Sequence, residues 1–242
     1  MKNNSDSIQE GFSHYFTKRR IIGIVGSPRK NGNSDVLLHH ILSGAKDENV
    51  FTERIHLRDY QFQPCIGCEK CRKDTICTGL NDGMSLLYPR ILESQGLVLI
   101  SPTHNYNVTA WMKAFIDRLY CFYTFDNNRP RGWSSRLENQ GRKAVVAAVC
   151  EQESEEDMGF TLEAMRRPLI ALGYEIIGEL LVFAVFDKGK VKEKKHLGQG
   201  LKTWGEFSKI SLVIMRGTSY SARITFSPQS LSGGYHYRFS KE

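Results

Sequence analysis

The 242-residue chain has no apolar run approaching the length of about 20 residues that crosses a bilayer, so a membrane-spanning helix is not expected. Residues 1–19 are polar, carry Asp6 and Glu10, and lack the apolar core of a signal peptide. They are expected to form a flexible N-terminal arm. The formal charge of +7 is scattered and is not gathered into an arginine-rich stripe with aromatics, which argues against a nucleic-acid partner. An anionic ligand or a negatively charged protein partner accounts for it equally well. There is no internal repeat. A soluble, cytoplasmic protein follows as the expectation.

Two further absences concern the glycine-containing stretch Ile21 to Asp35, around which the chain is organised. A Walker loop places lysine directly after its second glycine to reach the outer phosphates of a nucleotide, but Asn33 follows Gly32 here. A triphosphate is therefore not expected. The dinucleotide fingerprint needs three glycines spaced G-x-G-x-x-G, and Gly23 and Gly26 supply a single G-x-x-G.

What is present is a β-branched run, a loop of small polar residues, and then Leu38, Ile41, Leu42 and Ala45 at helical spacing. A helix N-terminus presents unpaired N–H groups and a partial positive charge. Ser27, Asn33 and Ser34, delivered there, can hold a monophosphate, and Ser34 suits the N-cap. An ordinary strand-to-helix turn rich in small residues is the plainer alternative.

Further strands are expected at Val50 to Leu57, Leu97 to Ser101, Ala144 to Cys150 and Tyr174 to Phe183. Helices are expected around Met84, Leu87 and Ile91, kinked by Pro89 or with the regular part confined to one side of it; around Met112, Phe115, Ile116 and Leu119; and around Ala164, Met165, Leu169 and Leu172, ending at Gly173. A last helix should follow Lys188, with Leu197, Leu201 and Trp204 on its apolar edge. Arg129 to Gly141 reads as an exposed loop.

This alternation implies an α/β fold with helices on both faces of a five-stranded parallel sheet in the order 2-1-3-4-5. Ligands of such sheets sit at the carboxyl ends of the strands, where the loops Ser27 to Asn33, Pro102 to Asn107 and Cys150 to Asp157 meet. Residues 20–207 then form one domain. Residues 208–242 have no place in the five-strand plan and read as a loose hairpin, an oligomerisation arm or a disordered tail.

Four of the six cysteines, Cys65, Cys68, Cys71 and Cys77, form C-x2-C-x2-C-x5-C within the loop 64–79. Clustered thiols without a secretion signal point to metal or redox chemistry. Short gaps let one loop wrap a [4Fe-4S] cluster, as the bacterial ferredoxin run does. That run ends C-x3-C-P, however, whereas Thr78 follows the last cysteine here. Structural zinc, which pairs two cysteine knuckles across a longer spacer, and four free thiols are the alternatives. Cys121 and Cys150 lie on apolar elements and read as core residues.

In the loop after the presumed central strand, Asn105 and Asn107 can bond the polar edge of a planar ring system, and His104 or Tyr106 can stack on it. A polar turn before a helix is the alternative there.

Taken together, Gly26-Ser-Pro-Arg-Lys-Asn-Gly-Asn-Ser34, the cysteine run and Ser101-Pro through Lys113-Ala-Phe-Ile-Asp-Arg118 resemble the NADPH-dependent FMN reductase family, and in particular its iron-sulfur flavoprotein branch. The resemblance implies a flavodoxin-like three-layer sandwich, FMN, dimers or higher oligomers, and electrons from NAD(P)H or a ferredoxin-like donor. By position, Ser27, Arg29, Asn33 and Ser34 would hold the FMN phosphate. Pro102, Thr103, His104, Asn105, Tyr106 and Asn107 would hold the isoalloxazine, with His104 standing where many relatives have tyrosine. Cys65, Cys68, Cys71 and Cys77 would ligate the cluster.

The function expected is an FMN-dependent oxidoreductase or electron-transfer flavoprotein in which the flavin carries the chemistry and no side chain acts as a proton-transfer catalyst. The rivals are an NAD(P)H-dependent FMN, quinone or nitro/azo reductase without a cluster and, from another class, a zinc-stabilised binding module.

Overall fold

A computed structural model describes residues 19–46, 50–192, 221–226 and 237–240. Strand β1 (Arg20–Val25) is buried beyond its first residue, as its β-branched run demands. Helix α1 (Asn33–Lys46) leads to the edge strand β2 (Phe51–His56), in which only Ile55 is buried. The cysteine loop contains one helical turn, α2 (Cys71–Asp74). A 3-10 turn at Gly83–Leu86 then precedes α3 (Tyr88–Glu93).

Pro89 falls in the first turn of α3, where its missing N–H costs nothing. Met84, Leu87 and Ile91 are all buried across two short elements, and the regular helix lies on one side of Pro89, the second of the two expected outcomes.

Strand β3 (Gly96–Pro102) is followed by α4 (Ala110–Arg118), the antiparallel hairpin β4 (Tyr123–Phe125) and β5 (Trp133–Ser135), and β6 (Lys143–Val149). The stretch expected as a plain loop therefore contains β5, with Ser135 and Leu137 buried. The stretch expected as an acidic loop ends in a short helix, α5 (Glu155–Met158), and helix α6 (Thr161–Ala171) and β7 (Glu175–Val182) complete the expected pattern. Gly173, just past α6, has a φ of +91°, the left-handed conformation foreseen for it.

The parallel strands pair in the order β2-β1-β3-β6-β7, which is the expected 2-1-3-4-5. The sheet then continues. β8 (Ser221–Phe226) pairs in parallel with β7, and β9 (Tyr237–Ser240) pairs antiparallel with β8. The alternation Ala222, Ile224, Phe226 is the period-two signal for this sixth parallel strand. Residues 1–18 and the expected helix around Leu197, Leu201 and Trp204 lie outside the described residues; Lys190–Lys192 forms a 3-10 turn.

Two apolar cores flank the sheet. On one face Leu37, Leu38, Ile41 and Leu42 of α1 pack with Ile21, Val25, Val98 and Ile100. Each such buried side chain contributes about 1.5–3 kcal/mol. Gly23 sets how closely α1 approaches, because a Cβ there would lie 2.1 Å from Leu38 Cδ1. On the other face α3, α4 and α6 supply Ile91, Met112, Phe115, Met165 and Leu169 against Ile22, Ile24, Leu97, Leu99 and Val146.

Candidate functional site

β1 and β3 are neighbours although the chain visits β2 between them, so the strand order reverses at this point. In open α/β sheets the crevice beyond the carboxyl ends at such a reversal is where ligands bind. A cavity of about 140 Å³ lies there. Its wall includes Ser27, Arg29, Asn33 and Ser34 after β1, Pro102, Thr103 and His104 after β3, and Glu151 after β6. Val185, Phe186 and Lys188 after β7 close it, a fourth loop that the reading of the chain did not assign. Asn105, Tyr106 and Asn107 are not among its lining residues.

The loop after β1 is held from beneath. Gly26 donates to the Ile100 carbonyl (2.9 Å) and accepts from Thr109 Oγ1 (2.7 Å). A Cβ on Gly26 would sit 2.8 Å from Met112 Cβ, so glycine is required by packing. Arg58, just past β2, donates to the carbonyls of Ser27 (3.1 Å) and Arg29 (3.2 Å) and forms a two-pronged pair with Asp35 (3.0 and 2.8 Å). Asp35 also accepts the Asn31 N–H (2.7 Å), and His56 Nδ1 lies 3.2 Å from it. Burial raises the Asp35 carboxyl, but His56 and Arg58 outweigh this and bring it down to about 2.

Helix α1 starts at Asn33, so Ser34 lies inside its first turn and is not the cap foreseen. Ser27 and Ser34 line the cavity although only 4% and 2% exposed, and the Ser27 hydroxyl accepts from the Arg29 N–H (3.2 Å). Asn33 and Arg29 also reach across to the segment after β7. Asn33 Nδ2 donates to the Asp187 carbonyl (3.1 Å) and its Oδ1 accepts from the Val191 N–H (3.1 Å). Arg29 donates to the Phe186 carbonyl (2.9 Å), its guanidinium 4.5 Å from the centre of that ring.

After β3, the Thr103 N–H continues the pairing by donating to the Val149 carbonyl (2.7 Å). His104 and Asn107 exchange backbone bonds (2.8 and 3.1 Å) around Asn105 and Tyr106, whose φ values are +49° and +64°. Two left-handed residues at a tip suit asparagine better than tyrosine. The Tyr106 carbonyl is held by the Phe160 N–H (2.8 Å), beside Gly159, where a Cβ would come within 2.4 Å of that oxygen. Asn107 Oδ1 accepts from the Val108 N–H (2.8 Å) and so turns back on its own backbone.

The four clustered cysteines surround a second cavity, of about 260 Å³. Cys65 and Cys68 are exposed, Cys71 and Cys77 half-buried, and none is in a disulfide. Burial, then the neighbouring Cys77, Cys65 and Cys68, push the Cys71 thiol up. The carboxylates on the cavity wall, Glu69 and Asp117, pair with Arg72 (2.9 Å) and Lys113 (2.5 Å). Among the described residues no three His, Cys, Asp or Glu side chains converge as the ligands of a single metal ion.

This loop too is clamped at its base. Arg118, fully buried, pairs with Asp82 (2.7 and 3.1 Å) and donates to the Gln63 carbonyl (2.8 Å). Asp82 in turn accepts the N–H groups of Gln63 (3.0 Å) and Met84 (3.1 Å), so one ion pair joins entry and exit. Burial raises the Asp82 carboxyl, and the bond from Arg118 with the two N–H groups brings it below the ordinary range. Cys121 and Cys150 are buried in the cores as foreseen; burial, with Cys71 and Cys77 nearby, pushes the Cys121 thiol up to about 12.

The model of the NADPH-dependent FMN reductase family matches residues 19–181. The chain belongs to this family. Membership places it among the oxidoreductases, and the matched span holds both clamped loops. An iron-sulfur flavoprotein of Methanocaldococcus jannaschii is 31% identical over 57% of this chain and 66% of its own length. One of Archaeoglobus fulgidus is 31% identical over 69% of each chain. The chain thus spans about two thirds of the length of these curated relatives. In fold it is similar to an FMN-dependent NADH-azoreductase of Bacillus anthracis (TM-score 0.56, 16% identity, 80% of this chain and 98% of that one).

Within this FMN reductase family member, the residues that sequence reasoning missed are Arg58, Asp35, Asp82 and the segment after β7. Arg118 carried a signal, since it lies three residues after Phe115 and one before Leu119, on the buried face of α4.

Proposed function

We propose that the protein is an FMN-dependent oxidoreductase whose electrons come from NAD(P)H or a ferredoxin-like donor. The observation that carries this reading is the meeting of Ser27, Ser34, the N-terminus of α1 and Pro102 to His104 in one cavity at the reversal of the strand order. At about 140 Å³ that cavity is smaller than a complete small-molecule pocket of about 300–1,000 Å³. It matches the phosphate end of a mononucleotide, with the ring held at its rim.

In this reading the first-turn N–H groups of α1 and the hydroxyls of Ser27 and Ser34 bind the phosphate. Arg29 adds positive charge while it packs on Phe186, and Asn33 braces the wall. Pro102, Thr103 and His104 line the place of the isoalloxazine, and Asn105, Tyr106 and Asn107 flank it. FMN, when bound, takes up and hands on electrons as a pair or singly. The protein supplies position and charge.

For the second cavity we infer a [4Fe-4S] cluster on Cys65, Cys68, Cys71 and Cys77; the archaeal relatives are named iron-sulfur flavoproteins, which supports an iron-sulfur group. A zinc ion draws four sulfurs to about 2.3 Å from one point, which encloses almost no volume. A space of about 260 Å³ walled by four unpaired thiols, its carboxylates already paired, suits a larger sulfur-loving group. The protein is proposed to act in the cytoplasm as a homo-oligomer.

The test is the absorption spectrum of protein purified without oxygen, with flavin, iron and acid-labile sulfide measured in the same sample. FMN bound in proportion to protein is the expected result. Colourless protein that fails to take up FMN would sink the oxidoreductase reading. FMN without iron would remove the cluster alone.

A further inference from the structure

We propose that Arg58 is a positioning residue that makes this protein select phosphorylated over dephosphorylated flavin, by holding the Ser27–Gly32 loop in the shape that receives a phosphate. The proposal rests on the FMN reading above and assigns the selection to a residue outside the cavity wall.

The Arg58 side chain is 9% exposed and its hydrogen bonds all go to the loop and to the first turn of α1. Two of them take the carbonyls of Ser27 and Arg29. A loop carbonyl facing the cavity would place a negative dipole against the anion. Arg58 turns both toward itself. Because a trans peptide is planar, with C=O and N–H on opposite sides, fixing the Arg29 carbonyl sends the Lys30 N–H the other way. The Ser27 carbonyl lies in the peptide to Pro28, which has no N–H to redirect. The other two bonds hold Asp35, which takes the Asn31 N–H at a left-handed position, φ +55°.

One planar fork thus orients the loop on both sides of its tip. A lysine, with a single rotatable ammonium, cannot reproduce two carbonyl bonds and a two-pronged carboxylate pair together.

The experiment titrates the flavin-free protein with FMN and with riboflavin, which lacks the phosphate, by quenching of flavin fluorescence. Wild type, Arg58→Gln, Arg58→Lys and Asp35→Asn are compared below their melting temperatures. Arg58→Gln is expected to weaken FMN at least about tenfold, the scale of one lost bond to a charged group, with riboflavin changed less than about twofold. Arg58→Lys should recover part of the FMN affinity.

If Arg58→Gln does not fold, Asp35→Asn must show the same FMN-selective loss. Equal weakening of both flavins would mean a merely structural role and would overturn the proposal, as would unchanged FMN affinity. Wild type that binds FMN no better than riboflavin would sink the phosphate-loop reading itself, and this proposal with it.

Discussion

The phosphate-type loop and the cysteine loop are built on the same plan and finished to different degrees. Each is closed by an arginine in a two-pronged pair with an aspartate, Arg58 with Asp35 and Arg118 with Asp82. Arg58 also takes two loop carbonyls and Arg118 one, while Asp35 takes one loop N–H and Asp82 two. The loops differ in where their working groups lie. Ser27 and Ser34 are buried, whereas Cys65 and Cys68 are exposed. The first loop is held beneath an exposed tip, Pro28 to Asn31, whereas the second is tied in its middle as well, by Arg72 to Tyr120 (3.1 and 2.6 Å) and by Arg136 to the Thr75 carbonyl, and its four cysteines line a roomy cavity. Two sites that share a scaffold edge can therefore be broken one at a time.

The largest separation is expected from Cys71→Ser. It should abolish iron and acid-labile sulfide in anaerobically purified protein and leave FMN affinity unchanged; a parallel loss of FMN would mean that the two loops depend on each other. The converse variant, Ser27→Ala with Ser34→Ala, removes two bonds to a charged phosphate, each of about 1.5–3 kcal/mol. FMN affinity should fall at least about a hundredfold while iron content stays, as fluorescence titration and iron assay would show.

Gly79→Ala is a finer probe. Its Cβ would lie 2.3 Å from Cys68 Sγ, and the end of a cysteine side chain can move aside. Iron content should drop, with melting temperature nearly constant and FMN affinity changed less than about twofold, as for independent sites. A variant with full iron would show that Cys68 need not point where it does.

The smallest effect at neutral pH is electrostatic. Asp35 and Asp82 both titrate below the ordinary aspartate value of 3.8, Asp35 at about 2. A depressed carboxyl stabilises the fold fully above its unfolded value and loses that contribution as pH falls through the folded one. The Asp35 clamp should hold down to about pH 4 and fail between there and about pH 2, and the Asp82 clamp should also weaken below about pH 4. Acid titration followed by circular dichroism should show this window, and Asp35→Asn should shrink its amplitude.

Much of this was legible in the chain. Apolar runs such as Leu97 to Ser101, separated by helical spacing, carry the strand order, because a parallel sheet buried on both faces needs such runs. The Ser27 to Ser34 loop and the cysteine spacing were equally open to reading, since both are local. The clamps were not, because Arg58 meets Asp35 and Arg118 meets Asp82 across 23 and 36 residues, and no periodicity encodes such a pair. Asn33 shows the opposite failure: its place was readable, but its bonds to Asp187 and Val191 depend on a segment far along the chain. β8 was missed because its short alternation lies in a polar stretch beyond a complete five-strand pattern.

That reach of Asn33 and Arg29 has a consequence for how the protein is made. Their bonds to Phe186, Asp187 and Val191 span 157, 154 and 158 residues. During synthesis, at about 5–20 residues per second, the loop after β1 emerges well before the residues that brace its outer wall. Non-local contacts of this kind form late because closing long loops carries an entropy cost before any contact rewards it. The cavity at the strand-order reversal is thus an end product of folding, and a nascent chain arrested before Val191 should expose the loop without its fourth wall.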